Sequence, residues 1–485
     1  MPVDQPNKEY NKSVYKIKVV RDCCAGSEAI KSAQAIDQND ESPVANMAGT
    51  FYLPAPNPDD SSKENRLRYI DYKKRALFVN FTGHTKDAYV GMVCRKEPSI
   101  VLPKSLLPMQ YNVDGMGNSV YTSIKRTLDE VVTVAREGLL LDYAKVAEGQ
   151  NLSQTEGVMP TIKPYVAESI INWKTEVING LEALTMVVLK EEIAKKEDEF
   201  TDDVETQYRV LRMVEGVYTQ EIYTDNDELI VWDEEGNTSH TPKQADGKPW
   251  DFIPFIFCGA LNNDPDIDRP VLYDLAEINI SHYRNSADYE DSCFMVGQPT
   301  PVMAGLTQHW VDEVLKGQVV LGSRAFVGLP VGGSAMLLQA NPNQMPEQGM
   351  KTKENQMIQI GAKIITSSGG VETAEAARIR FSGQNSKLGT LVDNVEQAYE
   401  QMFEWALLFI GGKIEQEEEI TISLNKEFYE QGADPQMIQA QILMLDRQII
   451  STGDIRNYLR TSGNIDGDRS DEDIEADLKE VNPIR

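Results

Sequence analysis

Apolar residues recur every three or four positions through much of the second half of the chain, which is the period of an amphipathic helix. One such helix is predicted from Pro270 to about Phe294, and it would be roughly 36 Å long. A second is predicted at about 347–366 and a third, the longest, at about 385–411. Two shorter helices and an acidic tail are predicted after residue 434.

Strand-like segments replace this period between residues 161 and 258. Four segments between 181 and 232 are rich in β-branched and aromatic residues, and Thr224–Asp227 has the composition of a turn. An antiparallel sheet is therefore predicted. Residues 299–345 are rich in Gly and Pro and predict short strands with one short helix, placed between two long helices.

The first part of the chain predicts smaller elements. The first 60 residues suggest an arm with one or two short helices, and residues 61–82 suggest a helix. The apolar residues of that helix would share one face: Leu67, Ile70, Leu77 and Phe81. A further helix is predicted at 122–137, with Gly138 as its stop and a buried strand directly after it.

Composition restricts the function. The 485 residues carry a net charge of -29, whereas a free-standing DNA-binding protein is normally basic. An acidic wall would repel phosphate and let DNA slide, but an ordinary acidic protein needs no DNA at all. The N-terminus lacks an apolar signal segment and no stretch of 18 apolar residues occurs, so no membrane span is expected.

Motifs for catalysis and metal binding are missing from the sequence. It has no P-loop, no nucleophile elbow and no zinc-protease motif. The five cysteines form no CxxC pair and the four histidines are scattered, so we expect reduced thiols and no zinc site. No catalytic residue, cofactor or metal is predicted.

Basic residues gather in one part of this acidic chain. Between residues 348 and 390 there are six basic and three acidic side chains, a net of +3. The basic ones are Lys351, Lys353, Lys363, Arg378, Arg380 and Lys387. Beside the flexible Ser367–Gly370 break they would suit contact with a polyanion, although a helix with a solvated basic face explains them as well.

The segment 268–296, DRPVLYDLAEINISHYRNSADYEDSCFMV, resembles one found in portal proteins of tailed bacteriophages, the head-to-tail connector family. The matching pieces are Asn279, His282-Tyr283-Arg284 and Ser286-Ala287-Asp288-Tyr289-Glu290. Supporting pieces flank it in the expected order, among them Gly138–Tyr143, Ile253-Pro254-Phe255 and Glu372–Ala376. The resemblance covers about residues 65–410.

This resemblance implies an α+β subunit of a portal ring, usually of twelve copies, at one capsid vertex of the virion. The ring would be the channel for packaging and ejecting double-stranded DNA. Its implied partners are the large terminase, the head-tail adaptor, and the major capsid and scaffolding proteins. Assembly would take place in the host cytoplasm, without a membrane and without catalysis.

The resemblance also implies a division of the chain into named parts. These are a wing (1–268), a stem helix (269–296), a clip (297–346), a second stem helix (347–366), a tunnel loop (367–384), a long backbone helix with a wing strand (385–433) and a small helical crown (434–485). The clip would dock the terminase motor and later the adaptor.

Two sets of site residues are expected from this division. Arg378, Arg380, Lys363 and Lys387 would face DNA in or beside the tunnel loop. Asp274, Glu277, Arg284, Asp288 and Asp291 on the first stem helix would line the channel or meet a neighbouring subunit's basic face. The alternatives are another virion structural protein, such as an adaptor or shell subunit, and an acidic cytosolic enzyme with an unrecognised site.

Overall fold

The computed structural model describes most of the chain. The described residues are 2–33, 49–142, 159–178, 180–194, 203–232, 236–244, 247–297, 300–315, 328–339, 344–361, 374–411, 419–426, 428, 435–447, 449–461, 465 and 469–481. They mix helices with antiparallel sheets, which confirms the predicted α+β class.

The described α-helices lie before residue 135 and after residue 272. They are α1 (Lys8–Ala25), α2 (Ser27–Ser32), α3 (Lys63–Arg75), α4 (Phe81–Val93), α5 (Leu107–Tyr111), α6 (Val120–Val134), α7 (Tyr273–Val296), α8 (Met345–Ile360), α9 (Ala374–Phe409), α10 (Pro435–Asp446), α11 (Thr452–Thr461) and α12 (Asp471–Val481). A π-helical turn spans Trp310–Val314.

The described strands form five antiparallel groups. They are β1 (Gly49–Thr50), β2 (Leu53–Pro54), β3 (Ser99–Val101), β4 (Arg136–Asp142), β5 (Thr161–Val166), β6 (Ile170–Ile178), β7 (Leu181–Ala194), β8 (Val204–Val214), β9 (Val217–Thr224), β10 (Ser239–His240), β11 (Phe255–Gly259), β12 (Thr300–Ala304), β13 (Ser334–Leu338) and β14 (Thr421–Ser423). The larger sheets have the orders β10-β9-β8-β7-β6 and β11-β4-β5.

The chain divides into two compact units. The larger holds Met1–Val90 and Ile100–Ile422, and the smaller holds Gly91–Ser99 and Ser423–Arg485. In the larger unit, α6 and α9 pack together around a buried hydroxyl cluster, in which the Tyr399 hydroxyl lies 2.7 Å from Oγ of Ser123 and 2.9 Å from Oγ1 of Thr127. Leu391, Val395, Ala398 and Met402 of α9 are buried here.

The N-terminal arm is part of this core. The prediction of one or two short helices is wrong in length, because α1 has 18 residues and buries Ile17, Val20 and Cys23. Its Asn7 cap accepts a hydrogen bond from the backbone N–H of Glu9. The backbone N–H of Asn7 also donates to the carbonyl of Ile171, which attaches the arm to β6.

The helix predicted at 61–82 is two helices, α3 and α4, separated by residues 76–80. The backbone N–H of Leu77 donates to Oγ of Ser286 on α7 instead of continuing the helix. Asn80 then starts α4, because its side chain accepts from the N–H of Gly83. The predicted shared apolar face therefore does not form, and Leu67, Ile70 and Leu77 are exposed.

Helix α6 ends three residues before the predicted stop. Ala135, with φ of 64°, takes the left-handed position that closes the helix. Gly138 instead lies inside β4, where a Cβ would come within 2.3 Å of the Phe255 ring. The glycine is needed for this close approach.

The smaller unit contains the three C-terminal helices. The predicted helix 435–449 is α10, and the acidic tail, which was not predicted to be helical, contains α12. Arg460 pairs with Asp471, and Arg456 pairs with Glu475 at 3.2 Å, so basic side chains of α11 hold the acidic first turns of α12. Helices α10, α11 and α12 lie in the part of the chain assigned to the crown.

Candidate functional site

Helices α7 and α8 pack side by side in opposite directions. Nε2 of His282 lies 3.1 Å from Oε1 of Glu354, while Asn285 lies against Gly349. From His282 to Asn285 along α7, the neighbour on α8 moves back from Glu354 to Gly349. The two helices are therefore antiparallel. A Cβ at Gly349 would lie 2.3 Å from Nδ2 of Asn285, so the missing side chain permits this spacing.

A two-stranded antiparallel sheet, β12–β13, lies in the chain between the far ends of these two helices. β12 and β13 pair from Thr300 with Leu338 to Ala304 with Ser334. Nε2 of Gln339, directly after β13, donates to the carbonyl of Val296, the last residue of α7. The strands predicted at 300–303 and 335–339 are confirmed, whereas the strand predicted at 319–321 lies outside the described residues.

Strand β13 exposes large apolar side chains to solvent. Every residue of β13 is exposed, including Met336, Leu337 and Leu338. Neighbouring residues of a strand point to opposite faces, so both faces of this strand carry uncovered apolar surface. Exposed apolar surface of this kind is typical of protein–protein contacts.

Three of the five predicted stem residues hold other parts of the same chain. Asp288 accepts a hydrogen bond from the Tyr72 hydroxyl at 2.7 Å. Asp291 accepts from Nη2 of Arg75 at 2.8 Å. Nε of Arg284 donates to the carbonyl of Tyr52 at 2.8 Å. The basic face that meets Asp291 therefore belongs to α3 of the same subunit.

The other two stem residues lie at the start of α7. Asp274 pairs with Arg269, and the Tyr273 hydroxyl donates to Glu277 at 2.9 Å. Asp274 also suits the positive end of the helix dipole. Both acids are exposed, so a role in the channel or at a neighbour stays a prediction for them.

Three of the four predicted DNA-facing residues lie on α9. Arg378 and Arg380 lie in the first two turns of α9, and Lys387 is exposed two turns further on. Lys363 lies outside the described residues. Because α9 begins at Ala374, the last eleven residues assigned to the tunnel loop are helical, and the predicted start of the long helix at 385 is wrong.

Arg136 and Glu137 are buried ionisable residues for which no role was predicted. Arg136 lies between the rings of Trp173 and Phe257, at 4.4 and 4.3 Å from their centroids, and donates to the carbonyls of Pro265 and Asp266. Burial lowers the pKa of Arg136 to about 9. Burial also raises the pKa of the adjacent Glu137 to about 8. Nothing in the local sequence distinguishes these two consecutive charged residues from charged residues on the surface.

Within the described ranges there is no group of three or more His, Cys, Asp or Glu side chains placed to hold a metal. None of the described helices is long and apolar enough to cross a membrane. The cysteines carry free thiols, and burial raises the thiol pKa of Cys23 and Cys258.

Among the solved structures that the chain is similar to are components of gene transfer agent (GTA) particles. The chain is similar to one from the virion of a native particle (TM-score 0.40, 11% identity, covering 80% of this chain and 92% of that one). It is similar to a neck component of an empty particle computed with C6 symmetry (TM-score 0.42, 10%, 79% and 90%). The third is a neck component of a native particle computed with C12 symmetry (TM-score 0.40, 10%, 78% and 89%).

Two sequence comparisons complete these findings. No curated protein matches the chain. Residues 271–410, which run from the start of α7 to the end of α9, match a family model described as a domain of unknown function, DUF4055.

Proposed function

We propose that this chain is the subunit of a portal ring, through which double-stranded DNA enters and leaves a phage capsid. The observation that carries the proposal is the antiparallel pair α7 and α8 with the two-stranded sheet β12–β13 at its far end. The residues that resemble the portal family, including His282 and Asp288, lie on the first helix of this pair. Sequence resemblance and local geometry thus point to the same segment.

The proposed roles follow the chain. Helices α7 and α8 would form the stem, β12–β13 the clip, and α10–α12 a small crown. The exposed apolar residues of β13 give the clip a surface for neighbouring subunits and for the terminase or the adaptor. Since these partners would bind the same ring in succession, moderate and reversible contacts suit the clip.

The charge distribution suits a conduit rather than a tight DNA binder. A net charge of -29 repels phosphate over most of the surface, which keeps DNA free to slide. Arg378 and Arg380, at the start of α9, would provide a local attraction repeated once in each subunit. The proposed activity is passive guidance and docking, with no chemical step by this chain.

Native mass measurement with negative-stain imaging of the purified full chain tests the proposal. Twelve copies of 54.3 kDa would form a ring of about 650 kDa around a hole of roughly 20–40 Å, wide enough for a duplex whose major groove alone is about 12 Å across. A compact particle of one or two copies without a hole, at every protein concentration tried, contradicts a ring. A large closed shell or a short stack would instead favour another virion structural role.

A further inference from the structure

The outer face of α3 combines basic and apolar side chains in an otherwise acidic protein. The helix has six basic and two acidic residues, a net of +4, whereas the whole chain has -29. Lys63, Leu67, Ile70 and Lys74 follow one another at steps of three or four residues and therefore share a face. Leu67 is 53% exposed and Ile70 is 40% exposed. We call these four residues the α3 face.

The opposite side of α3 is attached to α7, so the α3 face has a fixed direction. The Tyr72 hydroxyl and the Arg75 guanidinium hold Asp288 and Asp291, and Arg75 also lies 4.1 Å above the centroid of the Phe294 ring. These contacts make α3 a well-anchored helix. Exposure of Leu67 and Ile70 is therefore a property of the packed helix and not of a loose one.

Near Lys74 the positive charge extends onto a second helix. Nζ of Lys31, on α2, donates to the carbonyl of Lys74 at 3.3 Å. Lys31 is also close enough to Lys73 for their charges to lower the pKa of Lys31, after the larger effect of burial. Three lysines from two helices thus concentrate positive charge at one end of the α3 face.

The tip of the β6–β7 hairpin has the complementary composition. Ile178 pairs with Leu181, and Val177 pairs with Glu182, at the end of the long hairpin. Val177 and Leu181 are each 75% exposed, and Ile178 is 49% exposed. Glu176 and Glu182 are exposed as well; Glu176 shares a face of the hairpin with Ile178 and Leu181, and Glu182 shares the other face with Val177. We call this set the hairpin tip.

We propose that, in the ring, the α3 face of one copy receives the hairpin tip of the next copy; this interface rests on the proposed ring. Leu67 and Ile70 would meet the apolar residues of the tip. Lys63 and Lys74 would then meet Glu176 and Glu182, one on each face of the inserted tip. An apolar centre with charged residues at its rim is the usual anatomy of a protein–protein interface.

The chemistry favours a second copy over nucleic acid as the occupant. Phosphate would pair with the lysines but would leave Leu67 and Ile70 exposed. The hairpin tip offers acidic residues to the lysines and apolar residues to Leu67 and Ile70. The two surfaces differ, so the contact is head-to-tail and forms a closed ring when its rotation closes. Opposite charges would also steer each copy into this orientation before contact.

Charge exchange across the interface tests the proposal in the full-length chain. K63E/K74E and E176K/E182K should each raise the protein concentration needed for half-maximal ring assembly about tenfold. Combining all four substitutions should restore assembly, because each charge pair is then reversed. K104E/K125E, at two exposed lysines outside the α3 face, changes net charge by the same amount and should assemble like the wild type. Circular dichroism confirms that each variant is folded.

The possible results distinguish a wrong interface from a wrong ring. Wild-type rings together with unimpaired K63E/K74E rings would overturn the interface and leave the ring in place. Failure of the fourfold variant to recover would also overturn the interface. A K63E/K74E variant that assembles normally but loses affinity for a 30-base-pair duplex would identify nucleic acid as the occupant instead. A wild-type chain that forms no ring would overturn the proposed function, and the interface with it.

Discussion

The guanidinium of Arg21, on α1, forms two hydrogen bonds with the carboxylate of Glu130, on α6. The same guanidinium also binds the carboxylate of Glu168, at 2.5 and 2.7 Å. One arginine thus joins the N-terminal helix to two elements more than a hundred residues away. The arm is part of the folded unit because of this contact and the apolar packing of α1.

Replacing Arg21 with Met should lower the free energy of unfolding by about 3 kcal/mol, because two partly buried carboxylates lose their partner. Chemical denaturation followed by circular dichroism measures the change. The matched control is Lys12→Met, which breaks the exposed pair between Lys12 and Glu9 and should cost under about 1 kcal/mol. Equal losses for the two variants would contradict a stabilising role for the Arg21 contacts.

Gly138→Ala should destabilise the protein by about 1–3 kcal/mol, the usual cost of adding an atom to a packed core. The added Cβ would lie 2.3 Å from the buried Phe255 ring and 2.8 Å from Cδ1 of Ile170. Thermal unfolding measures the effect.

Gly389→Ala is the control for this substitution. It lies within α9, and a Cβ there would meet nothing within 4 Å. Alanine favours the helix by about 1 kcal/mol over glycine, so this variant should be slightly more stable than the wild type. If Gly138→Ala were as harmless as Gly389→Ala, close packing of β4 against Phe255 would be wrong.

The long helices could be predicted because their apolar periods are uninterrupted. α7 begins within three residues of the predicted Pro270, and its apolar side is buried as expected. The predicted start of the long helix at 385 is later than the start of α9 at Ala374, because the tunnel loop around Ser367–Gly370 is predicted to reach residue 384. The helix instead begins at the Ala-Glu-Ala-Ala run from Ala374, a composition with high helix propensity.

Elsewhere a residue distant in sequence decides the local structure. The pattern from Leu67 to Phe81 fits one helix, but hydrogen bonding of Leu77 to Ser286 ends it early. The partners of Asp288 and Asp291 could not be predicted either, because they lie on α3, more than two hundred residues away. Spacing along one helix cannot reveal which side of it another helix covers.

The buried carboxyl of Glu137 should make stability depend on pH. Burial raises its pKa from the ordinary 4.5 to about 8, so the folded state keeps a proton that the unfolded state releases. The unfolded state binds fewer protons between these values, and stability therefore falls as pH rises from about 4.5 to about 8 and then levels off.

Glu137→Gln should remove most of this dependence, since glutamine has a similar shape and no charge. At pH 9 the variant should be more stable than the wild type by on the order of 4 kcal/mol, and the difference should shrink towards pH 5. Denaturation across this pH range measures both curves. Glu28→Gln, at an exposed position of α2, is the control and should keep the wild-type pH profile. Parallel curves for wild type and Glu137→Gln would contradict a buried carboxyl that titrates near pH 8.

Reversing the charges of Arg378 and Arg380 tests the proposed DNA contact at the start of α9. R378E/R380E should leave ring assembly unchanged but reduce the DNA packaged into heads about tenfold, because phosphate meets acidic groups where it met basic ones. The measurement is the amount of nuclease-protected DNA per assembled head. K104E/K125E is the control: it makes the same change in charge at two exposed lysines outside this basic segment and should package near the wild-type level. Normal packaging by R378E/R380E would show that DNA passes without contacting these arginines, and loss in both variants would indicate a general effect of added negative charge.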